Sequence, residues 1–373
     1  MLILLTGLSL IVFLLTYALY YSYVRYEARK PWNLEIDRDF RPPVSILVPV
    51  HNEEENIGKK LENLQSVGYP KEKMEIVIVD DASEDETLKK IDEALKRGLG
   101  LETRIVRQET RGGKAVALNA ALNKASYPIV IVSDADTLWP NDILEKALPY
   151  LADPRVGAVT GRGVNQQTKT SWVTKNENNY LQLASLIRLG ESKIHSTIRF
   201  EGGFCAYKRA AFAEFDNKSG SDDSGTALDV IQHDYRTILA PEVVFFTSFP
   251  TSLVGKMRIK LRRANQLIGL WVKCVKFMFE GQLKLPKRIA LPEVFLFLIN
   301  PLVFLLMIGA AIASVIFSPL SYFTLLILVS VVGSLIFARN LFTELVVDNL
   351  LLAYASVSYL FGRRYTVWKK VKN

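Results

Sequence analysis

The chain has 373 residues, 49% of them hydrophobic and 23% charged, with 46 Lys and Arg against 38 Asp and Glu for a formal net charge of +8. An ordinary charged fraction beside so large an apolar one excludes a disordered chain and a fibrous repeat, and the crowding of apolar residues at Met1 to Tyr23 and Leu291 to Phe361 excludes a wholly water-soluble enzyme. The positive balance does not point to nucleic acid, because the cations stand beside the apolar segments, at Arg25, Arg29 and Lys30, at Lys256 to Arg263, and at Arg363 to Lys372, as on cytoplasmic flanks that face anionic lipid.

In chain order, Leu2 to Tyr23 is uncharged and as long as the ~20 residues a bilayer core needs. It lacks a basic region before it and a small-residue cleavage site after it, so residues 1–24 read as a retained anchor and not a signal peptide. The cations that follow put the N-terminus outside and the remainder after residue 24 in the cytoplasm.

Residues 42–250 read as a water-soluble α/β domain. Val44–Val50, Glu75–Val79, Thr103–Val106 and Ile129–Val132 are short β-branched runs, and helical patterns follow at Glu53 to Gln65, Ser83 to Lys96 and Lys114 to Lys124. The rhythm predicts a doubly wound, mostly parallel sheet covered on both faces, which binds ligands at the carboxyl ends of its strands. Residues 251–290 mix apolar and basic residues as basic amphipathic helices on an interface do. Residues 291–339 hold two uncharged runs, Val294 to Phe317 and Leu320 to Ala338, a transmembrane hairpin. In residues 340–373, Glu344 and Asp348 share one helical face before a basic tail, and an interfacial helix is preferred to a third crossing. The two cysteines, Cys205 and Cys274, give neither a disulfide framework nor metal-ligand spacing.

The strand ends carry the chemistry. They read Pro49-Val50-His51-Asn52-Glu53, Asp80-Asp81-Ala82-Ser83, Arg111-Gly112-Gly113-Lys114 and Ser133-Asp134-Ala135-Asp136. Asn52 and Ser83 are also good helix caps, with Glu86 completing a capping box after Ser83. Asp134 and Asp136, two apart in extended chain, point the same way, and such a pair calls for a hard divalent cation, Mg²⁺ or Mn²⁺, shared with substrate phosphates. Gly112, Gly113 and Lys114 offer backbone amides and an ammonium to the same anion. The P-loop spacing and a GxGxxG after the first strand are both missing, which disfavours triphosphatase and dinucleotide sites. Further on, Glu201-Gly202-Gly203-Phe204 reads as a tight turn into a buried strand, and Ser221-Asp222-Asp223-Ser224 as a second carboxylate pair opening a helix, able to supply a base for an attacking hydroxyl.

In this order and spacing the six segments resemble the family 2 nucleotide-sugar glycosyltransferases, in particular the membrane-bound branch with the hyaluronan, chitin, cellulose and poly-N-acetylglucosamine synthases, over about residues 42 to 270. The resemblance implies a GT-A type fold and these roles: Pro49, Glu53 and Asp80 on the donor's nucleotide, Lys114 beside its diphosphate, Asp134 facing the nucleotide and Asp136 the metal. It also implies Gly202, Gly203 and Phe204 on the acceptor side, Asp223 as general base where the family has Thr-Glu-Asp, and Asp222 in support. The family's Gln-x-x-Arg-Trp motif is replaced here by Ile259-Lys260-Leu261-Arg262-Arg263, which keeps the arginine, Arg262, for the diphosphate and puts Arg263 where tryptophan lines the acceptor side.

The sequence therefore reads as an inverting, multi-pass membrane glycosyltransferase with a cytoplasmic active site. Its expected partners are a nucleotide-sugar donor, UDP-linked by the resemblance, a lipid-linked or glycan acceptor, and membrane lipids. The alternatives are a processive polysaccharide synthase, which would need more helices than this to wall a channel, and a catalytically silent membrane scaffold, which would not need Asp134, Asp136 and Asp223 together.

Overall fold

The computed structural model describes residues 2–98, 100–165, 172–218, 221–247, 253–319, 321–337 and 339–363, so the basic tail after Arg363 lies outside the described residues. The elements are α1 Leu2–Ala28, β1 Val44–Val50, α2 Ile57–Ser66, β2 Met74–Asp80, α3 Thr87–Lys96, β3 Glu102–Arg107, α4 Lys114–Leu122, β4 Ile129–Val132, α5 Ile143–Ala147 and β5 Val156–Asn165. They continue with α6 Trp172–Ile194, β6 Cys205–Lys208, α7 Asp222–Gln232, β7 Arg236–Thr247, α8 Leu253–Phe279, α9 Lys287–Val294, α10 Asn300–Phe317, α11 Tyr322–Phe337 and α12 Arg339–Leu360. They group into two compact units, one of Met1–Tyr23 with Leu253–Tyr365, the other built on Val24–Ser252.

In the α/β unit the described strands form one sheet in the order β3-β2-β1-β4-β6-β5-β7. β1 pairs in parallel with β2 and β4, β2 with β3, and β5 with β7, whereas β6 runs antiparallel to β4 and β5. Alternate residues of β1 feed opposite faces: Ile46 and Val48 pack with α2, α3 and α5, while Leu47 packs with α4 and α7. Each such fully buried aliphatic side chain contributes about 1.5–3 kcal/mol, which is why the β-branched runs settle in the middle of the sheet. The edge strand β3, Glu102–Arg107, keeps polar residues exposed on alternate positions.

Register decides where the polar loops gather. Val50 stands opposite Asp80 and Leu47 opposite Val132, so β1, β2 and β4 end at one edge of the sheet. Because β6 is antiparallel, with Cys205 opposite Val132, the residues just before it arrive at that same edge. Pro49 is tolerated in this central strand because β4 pairs with β1 only as far as Leu47, so its missing N–H falls beyond the ladder.

In the helical unit, α1 and the run Lys287–Phe317 are the two helices among the described residues that are long and apolar enough to cross a bilayer. That second run is α9, a π-helical turn at Phe295–Ile299 and α10 in sequence. Phe13 of α1 lies against Phe304 of α10 with ring centroids 5.3 Å apart. The acids of α12 meet the lysines of α8: Lys256 Nζ is 2.6 Å from Glu344, and Lys260 pairs with both Glu344 and Asp348, the latter at 2.7 Å.

Candidate active site

The loops after β1 and β2 hold each other. Asn52 and Ala82 both adopt φ +55°, a left-handed conformation that non-glycine residues keep only where surrounding bonds enforce it. Here Asn52 N–H donates to Ser83 Oγ at 3.0 Å, Glu84 N–H to Asn52 Oδ1 at 2.9 Å, and Asp81 N–H to Val50 O at 2.9 Å. The expected capping box at Ser83 and Glu86 does not form, because α3 begins only at Thr87 and the Ser83 hydroxyl is spent on the neighbouring loop. This lacing fixes two predicted donor residues. Glu53 is buried, its N–H donating to Thr87 Oγ1 at 2.7 Å and its carboxylate accepting from Asn56 Nδ2 at 2.7 Å; Asp80 is buried and accepts from Ser83 N–H at 3.3 Å.

The glycine amides expected to greet an anion are already taken. Gly112 and Gly113 N–H donate to the two carboxylate oxygens of Asp81 at 2.7 and 2.9 Å, so Asp81 fills this pair of amides from within the chain. Its effect is to fix the start of α4, and with it Lys114. The lysine ammonium sits 2.8 Å from Asp134 and 3.1 Å from Asp222, bridging the end of β4 and the start of α7. Burial works against its charge, but Asp134, Asp222 and Asp223 outweigh burial and hold it well above the ordinary lysine range.

Gly202 is what lets these groups meet. A Cβ on it would lie 2.5 Å from Lys114 Nζ and 2.9 Å from an Asp134 carboxylate oxygen, and Asp134 N–H donates to Gly202 O at 3.2 Å. Gly203 packs as tightly, its virtual Cβ 2.1 Å from the Phe245 ring, and its carbonyl accepts from Trp139 Nε1 at 2.8 Å. Phe204, expected on the acceptor side, is wholly buried with its ring edge-on to Trp139 at 5.1 Å and supports the turn from behind. Glu201 steadies the other flank, accepting from Gly163 N–H at 2.9 Å and pairing with the buried Arg188 at 2.5 Å.

Burial, with the charges of Asp134 and Glu53 nearby, pushes the Asp136 carboxyl up to about 6. Asp222 is also pushed up to about 6 by burial, which with Asp223 and Asp134 outweighs the pull of Lys114. Asp223 differs: its Oδ1 accepts from Ser221 Oγ and Ser224 N–H, both at 2.7 Å, which pins it at the first turn of α7. The surplus of hard carboxylate oxygens around Asp136 fits a divalent cation. Among the described residues no group of three or more His, Cys, Asp or Glu is placed to hold a metal alone, so substrate oxygens would complete the shell, as Mg²⁺ and Mn²⁺ prefer.

One residue of this region escapes sequence reading. Lys60 of α2 is fully buried, donates to Thr137 O at 3.0 Å and lies over the Trp139 ring at 4.3 Å, directly behind the acid loop. Burial lowers its pKa to about 7 against the opposing pull of Asp134 and Asp136. The available signal was a lysine standing in the apolar stripe Ile57, Leu61 and Leu64. Arg262 and Arg263 belong to α8 of the helical unit, the first half-buried and the second exposed.

Comparison with known proteins bears on this arrangement. The family described as glycosyl transferase family 2 matches residues 45–215. The poly-beta-1,6-N-acetyl-D-glucosamine synthase of Staphylococcus epidermidis is 26% identical over 257 residues, 66% of this chain and 60% of that protein, so the chain spans about three fifths of this relative's length. The beta-monoglucosyldiacylglycerol synthase of Synechocystis is 39% identical over 123 residues, 32% of this chain and 25% of that one. Among solved structures, the mannosyltransferase PcManGT from Pyrobaculum calidifontis, in complex with GDP-Man and Mn²⁺, is 29% identical, superposes with a TM-score of 0.85, and the match covers 98% of this chain and 100% of that one. Residues 45–215 thus form a family 2 glycosyltransferase domain on a GT-A fold.

Proposed function

We propose that the chain is an inverting, metal-assisted glycosyltransferase that moves a sugar from a nucleotide-sugar donor to a lipid-linked or membrane-proximal acceptor. The observation that carries this reading is the meeting of Lys114, Asp134 and Asp222 at the glycine turn, beside Asp136, because it offers a cation and a metal-seeking carboxylate to one diphosphate. Pro49, Glu53 and Asp80 border the nucleotide. Asp136 would hold a divalent ion, which when bound neutralises the departing nucleoside diphosphate. Asp223, with Oδ1 pinned by two hydrogen bonds, takes the acceptor hydroxyl's proton as that oxygen attacks the anomeric carbon from the face opposite the diphosphate. Attack from that face inverts the anomeric centre. The sequence resemblance assigns Gly202 and Gly203 to the acceptor side, Arg262 to the diphosphate and Arg263 to the acceptor.

The donor preference is sharpened by the comparison. The UDP preference rests on the sequence resemblance alone, whereas PcManGT, matched over nearly the whole chain, carries GDP-Man, so GDP-mannose is the first donor to test and UDP-sugars the second. The two long apolar helices and the membrane-lipid chemistry in the name of the Synechocystis relative support a multi-pass membrane enzyme; the basic flanks support a cytoplasmic catalytic domain. A second reading, a processive synthase, is favoured by the 257-residue match to the poly-beta-1,6-N-acetyl-D-glucosamine synthase.

The experiment is a screen of radiolabelled GDP-mannose and UDP-sugars with the purified chain, Mn²⁺ and native membrane lipids, reading nucleoside diphosphate release and the product's mass. One added hexose on a lipid supports the proposal, a polymer ladder supports the second reading, and no release with any donor rejects both.

A further inference from the structure

Lys114 is neutralised by the protein itself, and its two partners are unequal. Asp134 stands at the end of β4, where its N–H is held by Gly202. Asp222 comes from the first turn of α7, and its Oδ2 is buried with no hydrogen-bond partner among the described residues, facing only the ammonium at 3.1 Å. The neighbouring Asp223 has its hydrogen bonds built in, from Ser221 and Ser224; Asp222 depends on Lys114.

We infer that Asp222 is an internal competitor of the donor for Lys114, so that donor binding both requires and causes the release of Asp222 from that lysine. This rests on the proposed placement of the diphosphate at Lys114. A diphosphate carries more charge than one carboxylate and draws the ammonium to itself, since the stronger anion wins a shared cation in a low-dielectric pocket. Asp222 Oδ2 is then a buried carboxylate oxygen with nothing to accept from, a costly state that the donor's binding energy must offset.

The test uses binding and not turnover. Calorimetry with the full chain in detergent measures the affinities of GDP and UDP, each with Mn²⁺, for the wild type, Asp222→Asn, Lys114→Met and the double variant. Removing the competitor should tighten nucleotide binding about tenfold, within the range of couplings between contacting groups. That gain should vanish in the Lys114→Met background. A loss of fold cannot imitate tighter binding; if Asp222→Asn melts early, Asp222→Ser replaces it under the same criteria. Unchanged or weaker binding in the folded variant, or a gain that persists without Lys114, overturns the inference. If neither nucleotide binds the wild type, the donor reading itself is overturned, and this inference with it.

Discussion

The two units put their charges to opposite uses. In the helical unit opposite charges are matched across two helices, with Lys256 and Lys260 facing Glu344 and Asp348. In the α/β unit like charges are gathered: Glu53, Asp134, Asp136 and Asp222 crowd around Lys114 and Lys60, and burial together with neighbouring carboxylates pushes Asp136 and Asp222 up to about 6. A matched group is complete within the chain and serves packing, whereas a surplus of one sign can be relieved only by something the chain does not contain. The contrast supports the proposed placement of a cation and an anionic substrate at the strand ends, and single substitutions test it.

The largest effect should come from Asp136→Asn, which removes the carboxylate best placed for the metal. Turnover should fall about 10³-fold or more, the several kcal/mol that a bound cation contributes to such reactions, with thermal stability at least as high as before because a like-charge repulsion has gone. Titration of activity with Mn²⁺ checks it, and full turnover in excess EDTA would contradict the surplus-charge reading. Asp223→Asn should come next, lowering the rate about 10²–10⁴-fold while donor affinity stays put, because a general base acts on the chemical step. Asp222→Asn should cost less in rate; single-turnover kinetics on both variants separate the two carboxylates.

What the sequence made legible follows from the same contrast. The strands β1, β2 and β4 were readable because β-branched runs have one stable place in such a sheet, and the acids at their ends stood out against apolar neighbours. The antiparallel insertion of β6 between β4 and β5 was not readable, since four residues carry no direction, yet that insertion brings Gly202 to Asp134. Asp81, to which the sequence assigned no role of its own, is an internal anion for two backbone amides, a role set by contacts across 31 and 32 residues of sequence. Glu344 and Asp348 were legible as one helical face, but the lysines they meet are more than 80 residues away in the chain.

A smaller effect belongs to the matched group. Glu344→Gln removes the carboxylate shared by Lys256 and Lys260, which are only 7% and 11% exposed, and keeps the pair between Lys260 and Asp348. Stripping one partner from a fully buried pair costs about 3–5 kcal/mol, and Glu344 is itself 21% exposed, so about 2 kcal/mol is expected here. Thermal unfolding in detergent should show the loss, while nucleotide affinity of the folded fraction holds. A fall in nucleotide affinity equal to that of an active-site variant would erase the distinction between the two kinds of charge cluster.

The most specific effect concerns Lys60, the cation buried behind the acid loop. Its pKa is lowered to about 7 in the folded chain, chiefly by burial, whereas in an unfolded chain it keeps the ordinary lysine value of about 10.4. Below about pH 7 both states carry the proton and the group is indifferent to pH. Between about 7 and 10.4 the unfolded state binds more protons than the folded one, so raising the pH favours folding, with a slope of at most about 1.4 kcal/mol per pH unit. The contribution is complete above the unfolded value and is lost as the pH falls through 7. Lys60→Met should flatten that part of the stability curve, and the difference between wild-type and variant melts from pH 6 to 9 isolates it from other titrating groups. A difference that does not change with pH would mean that Lys60 keeps its charge throughout, held by Asp134 and Asp136. It would then count among the charges that answer the acid surplus and not among those that burial suppresses.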